Sequence, residues 1–159
     1  MGETTGVLEA KHKVVWEWKD VSKKPKLLFL DDRSKRLHAA LRKYGDDYDV
    51  TLVATAKECI KMLSNEGPWD VVSLDHDLCF EEFVNSDRED CGMEVVRWLL
   101  LHKNHFFLAQ YFQTLGSPPK KFIIHTSNRA AAMLMEDELR EFVGTTGIQI
   151  VIERFTYDD

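Results

Sequence analysis

The chain has 159 residues, of which 44% are hydrophobic and 30% are charged, and its formal net charge is −6. This length is typical of one domain that buries enough surface to fold without a disulfide or a zinc ion. The acidic balance, with no lysine or arginine run, excludes a broad surface for duplex DNA and leaves room for a small phosphorylated ligand.

In chain order, the first predicted elements are a strand at Lys26–Leu30, a helix at Ser34–Tyr44, a strand at Asp49–Val53, a helix from Thr55 to the Gly67-Pro68 stop, and a strand at Asp70–Leu74. Short apolar runs thus alternate with longer amphipathic ones, which is the pattern of βαβ units. Thr55 and Glu58 have the spacing of a capping box, which satisfies exposed amides at a helix start.

The second half continues with an acidic irregular stretch at Cys79–Cys91, a helix from Gly92 to His102 with an aromatic continuation to Leu115, a strand at Lys121–Ile124, a helix from Asn128 to Phe142, and a final strand at Ile148–Ile152. His12–Trp18 is compatible with an additional edge strand. We therefore assign residues 1–24 to an N-terminal extension and 25–159 to one domain. Right-handed crossovers predict an α/β, flavodoxin-like, doubly wound parallel sheet in the order 2-1-3-4-5, with no helix after the last strand.

The cysteines and the N-terminus indicate a cytoplasmic protein. Cys59, Cys79 and Cys91 are odd in number and lack CxxC spacing, so we expect reduced thiols and no zinc site. No apolar run approaches the roughly 18 residues of a membrane span. The first residues, MGETTGVLEA, lack the basic and apolar regions of a signal peptide.

Three polar clusters follow directly after predicted strands, and they are Asp31-Asp32-Arg33, Asp75-His76-Asp77 and His125-Thr126-Ser127-Asn128. Parallel strands end at one sheet edge, so we expect the clusters to meet at the switch point between strands one and three. Four carboxylates there would raise each other's pKa values unless a cation lay between them. Mg²⁺, Ca²⁺ and Mn²⁺ suit such oxygen ligands. We predict Asp32 and Asp75 as direct ligands, and Asp31 and Asp77 as ligands or outer partners. The alternative is that one or two of them only cap helices or turns.

The same edge carries candidates for proton transfer and phosphate binding. His76 and His125 suit proton transfer near neutral pH, with structural hydrogen bonding as the equal alternative. Hydroxyls and free amides at a helix start suit a phosphate, with simple N-capping as the alternative, and here they belong to Thr126, Ser127 and Asn128. Arg33 and Arg129 follow two of the clusters and can clamp an anion, or they are solvated side chains.

The segments LLFLDDR, VVSLDHDL and IIHTSN, with Gly92 opening the following helix, resemble the receiver superfamily of two-component signalling. The resemblance implies that Asp31 and Asp32 are the acidic pair, that Asp75 is the phosphoacceptor, and that Thr126 or Ser127 is the hydroxyl residue. Ordinary receivers have a lysine after the fifth strand and a fifth helix. This chain has Glu153-Arg154-Phe155 at that position and ends at Asp159.

The histidines of LDHDL and HTSN are foreign to ordinary receivers and are similar to those of the branch called cyclic-phosphate-processing receiver domains. That resemblance implies a phosphoesterase, dependent on Mg²⁺ or Mn²⁺, that acts on a 2′,3′-cyclic phosphate of a nucleotide or RNA end. Its implied catalytic residues are Asp75, His76 and His125. Two alternatives stay open: a non-enzymatic signalling module phosphorylated on Asp75, and a plain interaction domain with a protein partner. We predict no duplex DNA and no membrane as partner, and the Cys79–Cys91 stretch as a lid.

Overall fold

The computed structural model describes residues 23–108 and 116–154. Its strands are β1 (Lys26–Leu30), β2 (Asp49–Val53), β3 (Val71–Leu74), β4 (Lys121–Ile124) and β5 (Gln149–Ile152). Its helices in these ranges are α1 (Ser34–Tyr44), α2 (Ala56–Asn65), α3 (Gly92–Leu101), α4 (Lys103–Phe107) and α5 (Arg129–Val143). The predicted strands and helices are thus confirmed, with boundaries that differ by a residue or two. The predicted edge strand at His12–Trp18 lies outside the described residues.

The aromatic continuation of the third helix is described only as far as Leu108, and its predicted part at residues 109–115 lies outside the described residues. Helix α3 ends at Leu101, and His102 adopts φ −104° and ψ 17°, which is not helical. A separate short helix, α4, then runs only to Phe107. Its aromatic residues pack sideways rather than extending one helix: Phe106 meets Phe142 of α5 edge to face, with ring centroids 5.7 Å apart. In the described part of this run, the helix break at His102 therefore turns Phe106 towards α5.

The sheet is parallel throughout and has the strand order β2-β1-β3-β4-β5, which confirms the predicted topology. The register aligns the strand ends: Leu30 lies opposite Leu74, and Leu74 lies opposite Ile124. The next residues continue the ladder, because the Asp75 amide donates to the Leu30 carbonyl at 3.0 Å and the His125 amide donates to the Leu74 carbonyl at 3.0 Å. The polar clusters therefore start at the same level of one sheet edge.

Side chains of each strand alternate between two apolar layers. In β1, Leu27 and Phe29 pack under α1, whereas Leu28 and Leu30 pack under the layer formed by α2, α3 and α5. All four are fully buried. Such strands read as continuous apolar runs because both faces of the sheet are covered. Burial of each large apolar side chain contributes about 1.5–3 kcal/mol, which stabilises the strands beneath the polar clusters.

Two local features position the helices around that edge. The Thr55 hydroxyl accepts a hydrogen bond from the Glu58 amide at 3.0 Å, and the Glu58 carboxylate accepts one from the Ala54 amide at 3.1 Å, so the predicted capping box is confirmed. Gly92 starts α3 against the end of β3, and its amide donates to the His76 carbonyl at 2.8 Å. A β-carbon on Gly92 would lie 1.9 Å from the Asp75 carbonyl oxygen, so only glycine allows this approach.

Within residues 23–108 and 116–154, no helix combines the length and the apolar character that a membrane crossing requires. Cys59, Cys79 and Cys91 all lie in these ranges and are free thiols, as predicted.

Candidate functional site

Three carboxylates form a compact buried cluster at the C-terminal edge of the sheet. Asp31 and Asp32 follow β1, and Asp75 follows β3, and their exposed fractions are 0%, 9% and 2%. Each offers one oxygen, and these oxygens all lie within 4.8 Å of one another. Among the described residues, this is the set whose spacing could hold a metal ion, and it contains three of the four predicted carboxylates.

One oxygen of each carboxylate at the two strand ends is occupied by the backbone. The Arg33 amide donates to Asp31 Oδ1 at 2.9 Å, and the His76 amide donates to Asp75 Oδ1 at 2.8 Å. These bonds fix the rotation of both carboxylates. Their second oxygens, Asp31 Oδ2 and Asp75 Oδ2, consequently face into the cluster.

The contacts of the Asp32 carboxylate fit a bound cation. Its Oδ2 accepts a hydrogen bond from the Phe80 amide. Its Oδ1 is buried and has no hydrogen-bond partner among the described residues. An unpaired buried carboxylate oxygen is costly to the folded state. A hard divalent cation, which prefers oxygen ligands, would satisfy it together with the two oxygens turned inward from Asp31 and Asp75.

Arg36 of α1 also reaches this cluster, and it was absent from the sequence-based candidates. Its Nη1 lies 3.2 Å from Asp75 Oδ2 and 3.4 Å from Asp31 Oδ2, and the side chain is only 15% exposed. A helical side chain tilts towards the N-terminus of its helix, so a residue in the first turn of α1 points back at the strand ends. That tilt is the sequence signal that could have revealed it.

The crowding of acidic groups changes the proton affinity of Asp75. Burial raises the pKa of Asp75 from its ordinary value of 3.8 to about 6, and the neighbouring Asp31 charge adds to the rise. His125 and Arg36 oppose it, as does a hydrogen bond from Thr126. The cluster is therefore short of positive charge even with Arg36 in place.

His125 joins the cluster from β4. Its Nε2 lies 3.1 Å from Asp31 Oδ2, and its Nδ1 lies 2.8 Å from the hydroxyl of Ser73. The imidazole stacks on Phe29 with ring centroids 4.3 Å apart and an interplanar angle of 8°. A carboxylate can only accept, so Nε2 carries a proton directed at the acidic cluster. Ser73, which the sequence did not single out, fixes the other ring nitrogen.

His76 lies away from the cluster, in a network that holds the loop between β3 and α3. Its Nδ1 lies 2.7 Å from Asp77 Oδ1, and its Nε2 lies 2.9 Å from the Ser86 hydroxyl. The residue is fully buried. Burial by itself would lower the pKa of His76, but hydrogen bonds with Cys91 and Asp77 raise it overall.

Asp77 belongs to the same network and lies outside the three-carboxylate set. It accepts hydrogen bonds from the amides of Phe83 at 2.7 Å and Val84 at 3.1 Å, and from the Asn128 side chain at 3.2 Å. Burial opposes ionisation, yet the hydrogen bonds from His76 and Asn128 lower the pKa of Asp77 overall. The geometry ties Asp77 to the loop and to the start of α5.

Of the predicted anion-binding residues, two are buried near the carboxylate cluster or the loop network and three are at least partly exposed. Asn128 caps α5, since its Oδ1 accepts from the Ala131 amide at 3.1 Å, and Thr126 is buried beside Asp75. Ser127 and Arg129 are exposed at the start of α5. Arg33 is partly exposed and its guanidinium lies 3.6 Å from Glu82. Thr126 thus meets the carboxylate cluster directly.

The loop from Cys79 to Cys91, predicted as a lid, contacts the acidic cluster through its backbone. Cys79, Phe80 and Phe83 have φ angles of 63°, 61° and 54°. Such left-handed conformations cost about 1–2 kcal/mol each for residues with a side chain. Amides of this segment bind Asp32 and Asp77, which holds it in that form. The Phe80 and Phe83 side chains are both exposed.

The position after β5 carries an acidic residue whose partners lie on α1. Glu153 accepts a hydrogen bond from the Tyr44 hydroxyl at 2.6 Å, and Lys43 Nζ lies 3.1 Å from the same oxygen. Burial opposes ionisation, but these two groups lower the pKa of Glu153 overall. At the position after β5, where ordinary receivers have a lysine, this chain therefore has the Glu153 carboxylate, which links the end of β5 to α1.

Solved structures resemble this fold. A receiver domain protein (CheY-like) from Methanospirillum hungatei has a TM-score of 0.54 and 17% identity over 86% of this chain and 87% of that chain. The adenylate cyclase structure from Rhodopirellula baltica has a TM-score of 0.54 and 17% identity, covering 86% of this chain and 81% of that one. The response regulator TrrA from Thermotoga maritima, solved in complex with Mg²⁺-BeF, has a TM-score of 0.51 and 17% identity, covering 84% and 90%. At these identities the likeness shows the receiver fold.

No curated protein sequence is significantly similar to the chain. Residues 26–141, however, match the family described as the cyclic-phosphate processing receiver domain. That match covers most of the chain, from β1 to α5, and includes the carboxylate cluster, the loop network and His125. The chain therefore belongs to the cyclic-phosphate processing receiver domain family.

Proposed function

We propose that the chain is a metal-dependent phosphoesterase that opens the 2′,3′-cyclic phosphate of a nucleotide or RNA end. The single observation that carries the proposal is the buried trio Asp31, Asp32 and Asp75, in which Asp32 Oδ1 has no hydrogen-bond partner in the described part of the chain and the Nε2–H of His125 is directed at Asp31. This arrangement supports a cation site beside a proton donor. A switch that only accepts a phosphoryl group has no need of that donor.

Mg²⁺ or Mn²⁺ is the proposed cofactor, held by Asp31, Asp32 and Asp75. The TrrA structure, which contains Mg²⁺-BeF, supports Mg²⁺ as the choice for this fold. When bound, such an ion polarises the phosphate and lowers the pKa of an attacking water. The donor set here is all carboxylate oxygen, which matches the preference of both ions.

The chain's own residues would handle the leaving group and the phosphate. Water adds to phosphorus and releases one proton, the bond from phosphorus to one ribose oxygen breaks, and that oxygen takes the proton of His125 Nε2, which the proton released by the water then replaces. Ser73 and the stacked Phe29 hold the imidazole in place for this transfer. The products are a free ribose hydroxyl and a phosphomonoester. The proposed phosphate-binding groups are Arg33, Thr126, Ser127, Asn128 and Arg129.

His76 is the weaker candidate for this proton transfer. Its ring nitrogens contact Asp77 and Ser86 of the loop network, whereas Nε2 of His125 contacts Asp31 of the carboxylate cluster. We assign it to positioning the loop, and with it Asp77. Asp77 would then influence the metal only through the loop.

A second candidate function is a receiver-like module that accepts a phosphoryl group on Asp75. It is favoured by Asp75 standing at the end of β3 beside the acidic pair and Thr126, within a receiver fold. Glu153 counts against it, because a carboxylate bound to Tyr44 and Lys43 stands where ordinary receivers have a lysine.

Turnover of nucleoside 2′,3′-cyclic monophosphates, with Mg²⁺, Mn²⁺ or chelator, tests the proposal. Asp75→Asn and His125→Ala are the informative variants. Asp46→Asn and His38→Ala are matched controls, since both residues are exposed and remote from the cluster. Metal-dependent ring opening that is lost in the first pair and kept in the second would support the enzyme.

The same proteins, incubated with acetyl phosphate, test the second candidate. Incorporation of one acid-stable, hydroxylamine-sensitive phosphoryl group in the wild type and none in Asp75→Asn, without ring opening, would establish a receiver-like module. Absence of both ring opening and phosphorylation, with the protein folded, would overturn both functions.

A further inference from the structure

We propose that Arg36 is an exchangeable cation that neutralises the carboxylate cluster in the absence of metal and binds the phosphate in its presence, so that metal and phosphate bind cooperatively. The inference rests on the proposed function for the identity of the phosphorylated ligand. The competition between Arg36 and a metal ion for the carboxylate oxygens depends only on the geometry around Asp31 and Asp75.

Arg36 uses the oxygens that a metal would need. The outer oxygens of both carboxylates are taken, because Asp31 Oδ1 binds the Arg33 amide and Asp75 Oδ1 binds the His76 amide. The inward oxygens, Asp31 Oδ2 and Asp75 Oδ2, both contact Arg36 Nη1, at 3.4 and 3.2 Å. A divalent cation on these oxygens would stand beside a guanidinium, and the two like charges would repel strongly in this buried setting.

Metal binding therefore favours a different partner for Arg36. The residue stays on the first turn of α1, and its side chain is 15% exposed, so the guanidinium can turn outward from the carboxylates without leaving the site. A phosphate bound to the metal would lie within its reach. The planar guanidinium offers paired donors that match two phosphate oxygens.

Other cations near the site are placed differently. The Arg33 guanidinium lies 3.6 Å from Glu82 of the loop, and Arg129 is exposed at the start of α5. Glu153 occupies the position after β5 and is held by Tyr44 and Lys43. Arg36 is the cation whose contacts join Asp31 and Asp75 directly.

The exchange has a thermodynamic consequence. A phosphate that draws Arg36 away from Asp31 and Asp75 uncovers the metal ligands, and a metal that displaces Arg36 frees it for the phosphate. Each ligand must then raise the affinity of the other by the same factor, which for such couplings is about 5–150-fold.

The test measures Mn²⁺ binding by the electron paramagnetic resonance signal of the free ion at pH 8. Titrations are done without anion, with inorganic phosphate and with adenosine 3′-monophosphate. We expect the anions to tighten Mn²⁺ binding to the wild type by about ten-fold. Arg36→Gln should bind Mn²⁺ more tightly than the wild type without anion, and its coupling to either anion should fall to about one-fold. Arg36→Lys keeps the positive charge but lacks the paired donors of the guanidinium, so it should retain only part of the coupling between Mn²⁺ and the anion.

Arg42→Gln is the matched control, because Arg42 lies on the same helix and is exposed. It should behave like the wild type. Circular dichroism and thermal unfolding identify a variant that fails to fold, in which case Arg36→Lys carries the comparison. An Arg36→Gln protein that is folded, binds Mn²⁺ no more tightly and keeps the anion coupling would overturn the proposal, as would a wild type that binds no Mn²⁺. Absence of cyclic-phosphate turnover would leave these binding results intact, so the two proposals fail separately.

Discussion

Replacement of Asp75 by asparagine should stabilise the metal-free protein, although it removes a residue of the site. Asp75 is 2% exposed, and burial together with Asp31 raises the pKa of its carboxyl from 3.8 to about 6. Each pKa unit corresponds to about 1.4 kcal/mol, so ionised Asp75 costs the folded state about 3 kcal/mol at pH 7. Asparagine has nearly the same shape and no charge, and it avoids that penalty.

The pH dependence has a definite sign. A carboxyl with a raised pKa in the folded state binds its proton more tightly there than in the unfolded chain, so stability is lost as pH rises from about 3.8 through about 6. The advantage of Asp75→Asn should therefore be full at pH 7, shrink between pH 6 and 4, and vanish below pH 3.8.

Urea unfolding of metal-free protein, followed by circular dichroism between pH 4 and 7.5, measures this difference. The exposed Asp46→Asn variant should match the wild type at every pH. Mg²⁺ should raise the stability of the wild type and leave Asp75→Asn unchanged, because only the wild type keeps the complete ligand set. If Asp75→Asn is no more stable than the wild type at pH 7 without metal, the electrostatic reasoning is wrong.

Three further predictions follow from single contacts. Mn²⁺ affinity should fall about ten-fold per pH unit below about pH 6, because Asp75 must lose its proton to bind the ion. A Mn²⁺ affinity that stays constant between pH 5 and 7 would contradict this prediction. His76→Ala should release the loop, because it removes the contacts of His76 with Asp77 and Ser86. Limited proteolysis within residues 79–90 should then be about ten-fold faster than in the exposed control His38→Ala. Equal proteolysis rates would show that His76 does not position the loop. Gly92→Ala places a β-carbon 1.9 Å from the Asp75 carbonyl oxygen, and it should lower the free energy of unfolding by about 3 kcal/mol or more. Gly147→Ala meets no atom within 4 Å and only its positive φ of 84°, so it should lose about 1–2 kcal/mol, and thermal unfolding that ranks the two variants equally would refute the contact argument.

The elements and the location of the site were predictable because their causes are local. Apolar runs, helical spacing and the Thr55 cap lie within a few residues of chain, and they predicted the strands and helices within a residue or two. The order of a doubly wound sheet follows from the handedness of its crossovers, and parallel strands necessarily end at one edge. The gathering of Asp31, Asp75 and His125 at that edge followed without any knowledge of side-chain positions.

The contacts that each side chain makes were decided by tertiary structure. Arg36 reaches Asp75 across 39 residues of chain, and His125 reaches Asp31 across 94, and neither distance leaves a local pattern in the sequence. The neighbouring residues Asp75, His76 and Asp77 make different contacts for the same reason. Successive side chains point in different directions as the chain leaves β3, so Asp75 enters the carboxylate cluster while His76 and Asp77 bind the loop. The sequence by itself determined which residues meet at this edge, and only the packing of α1 and the path of the loop decided which of them can share a metal.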